Sequence, residues 1–320
     1  MLRTSSPDRI GAVLCLVAGG SFALQPVLVK LALDGGASIA SVGAIRFALA
    51  AAVLGLLARK AIVATPLWTL LPPFALGLTI YGLETGLFFA SLERIDVSLA
   101  SLLMCSYPAV VVAGAVLLRR ERASRRRAAA LAVALTGVVL VLAGGIGGAL
   151  DPVGIGLALT AALAYAAYVL VSDRMLGTTE PLVLATMLCA GAATTFALGG
   201  AATGSLEAAR PSTLLVVGAI ALVATVLPIA AFLGGVRRIG PSRATILGTI
   251  EPPVTIGLAA LVFGERLGAV QLLGAGLVVC AVVILQLRRR PKLRAIPHAW
   301  PHTLPQPATN ALPATERIAA

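Results

Sequence analysis

The chain is divided into ten continuous apolar runs, and this pattern limits its possible folds more than any other feature. Each run approaches the roughly 20 residues that a helix needs to cross the hydrocarbon core of a bilayer. Because the runs do not alternate between apolar and polar positions, they predict helices and exclude barrel strands. The predicted spans are Ile10–Leu33, Ile39–Ala58, Leu67–Leu92, Val97–Leu118, Ala128–Ala143, Val153–Ser172, Leu182–Thr203, Ser212–Val236, Ala244–Phe263 and Ala269–Leu287. We therefore expect an all-α polytopic membrane protein with ten transmembrane helices.

The composition excludes a soluble or a largely disordered protein. Apolar residues make up 59% of the 320 residues and charged residues 12%, and the mean hydropathy is +0.99. Ordinary globular chains are about 45–50% apolar and about 25% charged. The net charge of +12 is compatible with nucleic-acid binding, but aromatic residues are only 4% and the basic residues form short clusters between apolar runs. The expected partner is the lipid bilayer and not nucleic acid.

The basic residues are distributed very unevenly between the two sides of the predicted membrane. If residues 1–9 are cytoplasmic, 19 lysines and arginines lie in cytoplasmic segments and three lie outside. Positive charge is concentrated on the cytoplasmic side of membrane proteins. The count predicts an integral plasma (inner) membrane protein with its N- and C-termini in the cytoplasm. Residues 291–320, which are rich in Pro, Ala and Thr, are predicted to form a disordered cytoplasmic tail.

The second half of the chain repeats the first. With a shift of 144 residues, Arg94–Arg122 and Arg238–Arg266 are identical at 11 of 29 positions, and Pro108 matches Pro252. Residues 10–143 and 151–287 then form two repeats of five spans each. Because five is odd, the second repeat enters the membrane from the opposite side. Two inverted five-helix repeats are a transporter architecture.

Polar side chains at membrane depth are costly and mark functional positions in such apolar spans. We interpret ten of them as candidates for substrate binding or coupling: Glu251, Glu84, Tyr107, Gln25, Lys30, Arg46, Tyr81, Tyr165, Tyr168 and Thr249. Four prolines within the spans are predicted to kink helices and free backbone carbonyls: Pro108, Pro228, Pro252 and Pro253.

Glu251 is the sharpest of these signals because it lies at the centre of span nine and is followed by two prolines. It is a candidate proton carrier or ligand for a cargo amine; the alternative is a structural hydrogen bond to a neighbouring helix. The repeat places Tyr107 opposite Glu251, so the two walls of one cavity are expected to differ chemically. Glu84 has two interpretations: an ion pair with Lys30 or Arg46, or a gating or coupling role.

Metal or cofactor chemistry is not expected. Each of the four cysteines, Cys15, Cys105, Cys189 and Cys280, lies inside an apolar run and is interpreted as a buried apolar residue. The two histidines lie in the tail, and the sequence contains no phosphate-binding glycine loop followed by Lys-Ser/Thr. We predict no metal site, no cofactor and no use of ATP.

Several short motifs resemble a known family. The segment Gly240–Gly274 contains Gly-Pro-Ser-Arg-Ala-Thr, Glu-Pro-Pro, Phe-Gly-Glu-Arg-Leu and Gln-Leu-Leu-Gly in that order. The first repeat supports it with Ile45-Arg46-Phe47, Tyr107-Pro108 and Glu121-Arg122. This pattern is similar to the EamA family of the drug/metabolite transporter superfamily. The resemblance implies a cavity lined by spans one, three, four, six, eight and nine.

The resemblance also implies an inner-membrane secondary transporter, with export favoured over uptake. Amino acids or related small amphipathic solutes are the expected substrates, carried by alternating access with protons as the coupling ion or by facilitated diffusion. The alternative is a multidrug or cationic-compound exporter, and a remote one is a membrane-embedded transferase. The transferase is disfavoured because no histidine lies in a span and the two deep glutamates are on different repeats. The expected oligomeric state is a monomer or a homodimer.

The orientation can be tested by cysteine labelling. With the four native cysteines replaced, a single cysteine at Gly148 should react with an impermeant thiol reagent added to whole cells, and one at Ser124 should not. The charge bias places these positions on opposite sides of the membrane. The reverse labelling pattern would overturn the orientation.

Overall fold

A computed structural model describes residues 6–117, 125–144, 151–176, 178–206, 211–240, 244 and 247–286. Within these residues the chain is helical and no strand occurs. The α-helices are α1 (Ser6–Asp34), α2 (Ile39–Ala64), α3 (Leu67–Leu76), α4 (Gly82–Leu92), α5 (Val97–Met104), α6 (Tyr107–Leu117), α7 (Arg125–Gly144), α8 (Pro152–Met175), α9 (Pro181–Thr203), α10 (Pro211–Ala221), α11 (Leu227–Ile239), α12 (Glu251–Phe263) and α13 (Ala269–Gln286). The predicted tail, residues 291–320, lies outside the described residues.

The ten predicted spans are all occupied by helix. Six helical stretches are long and apolar enough to cross a membrane, and shorter apolar helices occupy the positions of spans four, five, nine and ten. The prediction of an all-α membrane protein with two inverted five-helix repeats is confirmed. The second span is longer than predicted, because α2 continues past Arg59 and Lys60 to Ala64. Charged residues ended the predicted span at Ala58, but a helix can continue beyond the hydrocarbon core.

The two repeats pack in the pairing that a two-fold relation between them requires. Spans two and seven pack together, as do spans five and ten, and span one packs on span eight as span three packs on span six. Small residues make equivalent contacts in the last two pairs. A Cβ atom on Gly11 would lie 2.6 Å from the Ile239 side chain, and one on Gly154 would lie 2.7 Å from the Ile95 side chain.

Two spans carry a π-helical turn at equivalent positions. Span three consists of α3 and α4 joined by the π segment Gly77–Tyr81, and span eight consists of α10 and α11 joined by Leu222–Val226. A π turn inserts an extra residue into a helix and leaves a local gap in its hydrogen bonding. Thr225 fills part of this gap, since its hydroxyl donates to the carbonyl of Ile220 at 2.9 Å.

Spans four and nine are broken, which corrects the sequence prediction of continuous helices Val97–Leu118 and Ala244–Phe263. A turn at residues 105–106 separates α5 from α6, and a turn at residues 249–250 precedes α12. Pro108 and Pro252 each occupy the second position of the helix that follows, where no backbone N–H is needed. Each ring would clash with a carbonyl one turn earlier in a continuous helix, so the helix restarts instead of bending.

Pro253 also occupies a first turn, as the third residue of α12, so the kink predicted at this position is a helix start. Pro228 lies inside the continuous helical stretch of span eight, directly after its π segment. The sequence identified the positions at which the helices are irregular but not whether they bend or break there.

Spans five and ten approach closely through two glycines. A Cβ atom on Gly137 would lie 2.8 Å from the carbonyl oxygen of Gly274, and one on Gly274 would lie 2.6 Å from the carbonyl oxygen of Gly137. Small residues allow helix backbones to approach in this way within a membrane. The two glycines are therefore the positions at which spans five and ten pack most closely.

This contact predicts a position-specific effect on stability. Gly274→Ala should lower the free energy of unfolding by about 1–3 kcal/mol, because the added methyl group overlaps a backbone carbonyl. Gly276→Ala, on the same helix with open space around it, should have no destabilising effect. Thermal unfolding of the purified variants in detergent measures both, and equal melting temperatures would contradict the packing argument.

Candidate substrate-binding cavity

A cavity of about 450 Å³ lies at the centre of the helix bundle. Residues of both repeats line it, including nine of the ten polar candidates: Gln25, Arg46, Tyr81, Glu84, Tyr107, Tyr165, Tyr168, Thr249 and Glu251. Pro108 and Pro252 also line it, whereas Lys30, Pro228 and Pro253 do not. Spans one, three, four, six, eight and nine contribute, joined by Arg46 of span two and three valines of span ten.

Arg46 is anchored by one residue from each repeat. Its Nε donates to the Thr225 hydroxyl at 3.0 Å, and its Nη2 donates to Oε1 of Gln25 at 2.9 Å. Gln25 belongs to α1, and Thr225 belongs to the π segment of span eight. The guanidinium carbon lies 4.6 Å from the ring centre of Phe47 and 5.6 Å from that of Phe89. The side chain is therefore fixed on several sides and is only 2% exposed.

The predicted ion pair between Glu84 and Lys30 or Arg46 is wrong. Lys30 pairs with Asp34, one turn further along α1, at 3.1 Å. Glu84 is 5% exposed and accepts a hydrogen bond from the Thr85 hydroxyl at 3.0 Å. The described residues contain no ion pair to Glu84. Two of the three Arg46 nitrogens, Nε and Nη2, donate to Thr225 and Gln25, and Lys30 lies near the end of α1, where Asp34 is within its reach.

All four tyrosines of the chain form one continuous row along the cavity wall. The ring centres of Tyr81 and Tyr168 are 5.0 Å apart, those of Tyr168 and Tyr165 are 5.3 Å apart, and those of Tyr165 and Tyr107 are 4.5 Å apart. At the other end, Phe47 lies 5.5 Å from Tyr81 and so joins the row to the surroundings of Arg46. The row crosses from one repeat to the other and gives the cavity an aromatic wall.

Glu251 faces the cavity at the beginning of a half-helix. It is the first residue of α12, and Tyr107 is the first residue of α6 at the equivalent position of the other repeat. The N-terminal turn of a helix carries partial positive charge from its unpaired N–H groups and favours a carboxylate. Thr255, one turn later, donates to the carbonyl oxygens of Glu251 and Ala23, and thereby joins α12 to α1.

Sequence reasoning missed several hydroxyls in the cavity, including those of Thr85, Ser101 and Thr255. Serine and threonine are frequent in membrane helices, where their hydroxyls donate to the carbonyl of the preceding turn, as Thr186 does with Leu182. Nothing in one sequence separates these residues from those that line a cavity. Ser101 differs in the structure, since its buried Oγ has no hydrogen-bond partner in the described part of the chain.

A continuous apolar core closes the cavity towards the end of the bundle that holds residues 35–38, 93–96 and 264–268, here called the predicted outer end. Its members are buried residues from the nearby halves of several spans, among them Phe89, Leu92, Leu102, Leu103 and Ile220. The helices contributing to this core come from both repeats. The core thus separates the cavity from the predicted outer end.

Two polar contacts join the repeats at this end. The carboxylate of Glu265 accepts hydrogen bonds from the backbone N–H groups of Val97 and Ser98, at 2.8 and 2.9 Å. Arg94 pairs with Asp151 at 2.9 Å. The hydrogen bond from Arg94, together with that from the Val153 N–H, holds the pKa of the Asp151 carboxyl below its usual range. Glu265 of the second repeat thus caps the N-terminus of α5 in the first repeat.

A central cavity between two inverted repeats, with broken helices directed into it, defines a multi-pass membrane transporter. A family model described as the EamA-like transporter family matches residues 9–143 and 152–287. The chain belongs to this family, and therefore to the drug/metabolite transporter superfamily. The resemblance inferred from the motifs is confirmed.

Two further comparisons agree with this assignment. The chain is 28% identical over 222 residues to a protein of Bacillus subtilis (strain 168) named uncharacterized transporter YcbK, covering 67% of this chain and 71% of that protein. A solved crystal structure aligns with a TM-score of 0.60 at 18% identity, covering 87% of this chain and 96% of the other. The structural likeness shows a shared fold.

The cap formed by Glu265 predicts a measurable loss of stability. Glu265→Leu leaves two backbone N–H groups of α5 without acceptors, so the free energy of unfolding should fall by about 2–4 kcal/mol. Glu180→Leu is the matched control, because among the described residues the Glu180 side chain makes only an exposed 3.7 Å ion pair with Arg237. Chemical unfolding in detergent measures the difference. Equal losses for the two variants would show that the cap contributes no stability.

Proposed function

We propose that this protein is a secondary transporter that exports small metabolites, amino acids or related amphipathic solutes, across the inner membrane by alternating access. The observation that carries the proposal is the central cavity, which both repeats line and which contains a carboxylate, an arginine and an aromatic wall. The charged groups and the aromatic wall of the cavity complement a solute that has both polar and apolar parts. Residues at this depth are reachable from either side if the repeats rock against each other.

The conformation supports one step of this cycle. The apolar core and the Glu265 cap lie between the cavity and the predicted outer end. With both termini in the cytoplasm, as the charge distribution favours, this is the arrangement of a carrier closed to the outside. Opening to the outside then requires separation of the α5 cap and of the Arg94–Asp151 pair. The Arg94–Asp151 pair is exposed, whereas the Glu265 cap is partly buried.

Glu251 is the proposed coupling residue. It begins a half-helix, lies in the cavity and corresponds to a tyrosine in the other repeat, so only one of the two equivalent positions can carry a negative charge. A carboxylate can bind a proton or a cargo amine on one side of the membrane and release it on the other. It thereby couples movement of the proton to movement of the cargo. Glu84 is less suited to this role, because it is buried and already bonded to Thr85.

The tyrosine row favours a second candidate function, export of cationic or multidrug compounds. Organic cations bind to the faces of aromatic rings, and the ring of Tyr168 lies between those of Tyr81 and Tyr165. Competition between amino acids and cationic dyes for the purified protein separates the two candidates. Displacement of a bound dye by amino acids supports the first candidate, and binding of dyes alone supports the second.

The coupling role predicts the effect of Glu251→Gln. Glutamine keeps the shape and hydrogen-bonding capacity of glutamate but carries no exchangeable charge, so the variant should fold normally. Transport in proteoliposomes should fall at least tenfold, equivalent to about 1.4 kcal/mol. Concentration of substrate driven by a proton gradient should be affected more than downhill exchange.

The matched control is Glu180→Gln, which changes an exposed carboxylate outside the cavity and should transport normally. If Glu251 only ties helices together, Glu251→Gln will transport like the wild type with an unchanged pH profile, and Glu251→Leu will lower the melting temperature. That result would refute the coupling role and leave Glu84 as the next candidate.

A further inference from the structure

We propose that Arg46 binds a carboxylate group of the transported molecule through Nη1. This inference rests on the proposed function and narrows its substrate class to organic acids, including zwitterions. The side chain lines the cavity, and its Nη1 is a buried nitrogen without a hydrogen-bond partner in the described part of the chain. The other two nitrogens are already engaged. The unpartnered nitrogen is the feature that the rest of the structure does not explain.

The hydrogen bonds of Arg46 leave one nitrogen of the guanidinium group, Nη1, without a partner in the described part of the chain. An arginine side chain has five N–H donors on three nitrogens and no acceptor. Nε is bonded to Thr225 and Nη2 to Gln25, so two nitrogens are fixed in direction. The rings of Phe47 and Phe89 lie against the group. A donor held in this way is preorganised, and a ligand that meets it loses little of the side chain's conformational freedom.

The buried positive charge of Arg46 also requires a negatively charged partner. A cation that is 2% exposed is costly to bury unless an anion compensates it. Glu84 interacts electrostatically with Arg46, but it is bonded to Thr85 and forms no ion pair with the arginine. The structure thus contains a desolvated guanidinium with one unpartnered, buried nitrogen, on a side chain that lines the cavity. A substrate carboxylate supplies both the charge and the acceptor.

A carboxylate suits this position better than a simple halide ion. Guanidinium and carboxylate groups are planar and form charge-assisted hydrogen bonds that are stronger than neutral ones. The organic remainder of the molecule then lies beside the aromatic row, which begins at Phe47 next to the arginine. A halide has no such remainder and gains nothing from the aromatic wall. An organic cation without an acid group can contact the aromatic row but offers no acceptor to Arg46.

Gln25 and Thr225 act here as positioning residues, because they accept hydrogen bonds from the guanidinium and hold it in place. Gln25 belongs to the first repeat and Thr225 to the second, so Arg46 is held by both repeats. The affinity of Arg46 for a carboxylate therefore depends on the relative position of α1 and span eight. That relative position would change when the repeats exchange conformations.

The experiment compares acids with their uncharged amides on the wild-type protein. L-leucine, L-phenylalanine and L-threonine, together with the three carboxamides, are tested for binding to the purified protein by competition and by counterflow in proteoliposomes. At least one acid should bind, and its carboxamide should bind at least tenfold more weakly. Sodium chloride at the same ionic strength should not compete with the acid.

The variants complete the test. Arg46→Gln should weaken binding of the acid at least tenfold and leave the already weak binding of the carboxamide unchanged. The matched control Lys30→Gln removes a membrane-embedded cation that lies outside the cavity and pairs with Asp34, and it should bind the acid normally. Thr225→Val should weaken binding of the acid but not binding of its carboxamide, as expected for a positioning residue.

Each possible outcome is decisive. Equal affinity for an acid and its amide would overturn the role of Arg46 while leaving amino-acid transport intact. Competition by chloride alone would show an anion site without organic selectivity and would also overturn the proposal. Binding of none of the three acids would contradict both the proposed amino-acid substrates and the role of Arg46. If Arg46→Gln does not fold, the comparison of acid and amide on the wild type still decides the question.

Discussion

The absence of water in the hydrocarbon core is the constraint on which this structure depends. Every backbone N–H and C=O group in that region needs a partner within the protein, which makes helices the only practical form for its spans. Irregular backbone is tolerated where it lines a cavity. The turns at residues 105–106 and 249–250 and the two π segments follow this rule, since each lies beside the central cavity or contributes a residue to it. The irregular positions of the backbone therefore coincide with the site.

The two repeats supply a symmetric framework with an asymmetric interior. The helix breaks, the π segments and the close glycine contacts occur at equivalent positions in both halves. The side chains placed there differ: Tyr107 corresponds to Glu251, and Tyr81 corresponds to Thr225 under the shift of 144 residues. Symmetric packing makes two similar conformations of comparable energy possible, because each repeat can adopt the arrangement of the other. Unequal side chains allow one cavity to hold a single substrate in one orientation.

Charged groups towards the helix ends have partners, whereas those in the cavity do not form ion pairs within the part of the chain that the structure describes. Lys30 and Asp34 neutralise each other near the end of α1, and Glu265 caps a helix of the other repeat. The charges that remain in the cavity, Arg46, Glu84 and Glu251, are not joined in ion pairs among the described residues. Unpaired charged groups at this depth raise the free energy of the folded protein. A substrate or proton that neutralises them lowers this free energy, and its binding is strengthened accordingly.

The sequence by itself determined the number of spans, the repeat and most residues of the cavity. Lipid permits few polar side chains in a span, so Arg46, Glu84, Glu251 and the tyrosines were conspicuous without any knowledge of their contacts. The prolines marked the positions where spans four and nine are interrupted. Hydroxyl residues such as Ser101 and Thr255 could not be assigned, because their local hydrogen bonding hides whether they face a cavity.

Only the tertiary structure decided the partners of these residues. The sequence suggested an ion pair for Glu84, whereas the packing of span two against spans one and eight directs Arg46 to Gln25 and Thr225. The tertiary structure also decided that new half-helices begin around Pro108 and Pro252, that the tyrosines form a row, and that Glu265 caps α5 in the other repeat. These are contacts between residues far apart in the chain. Their geometry depends on how whole helices rotate and approach one another, and a local pattern of residues contains no information on that.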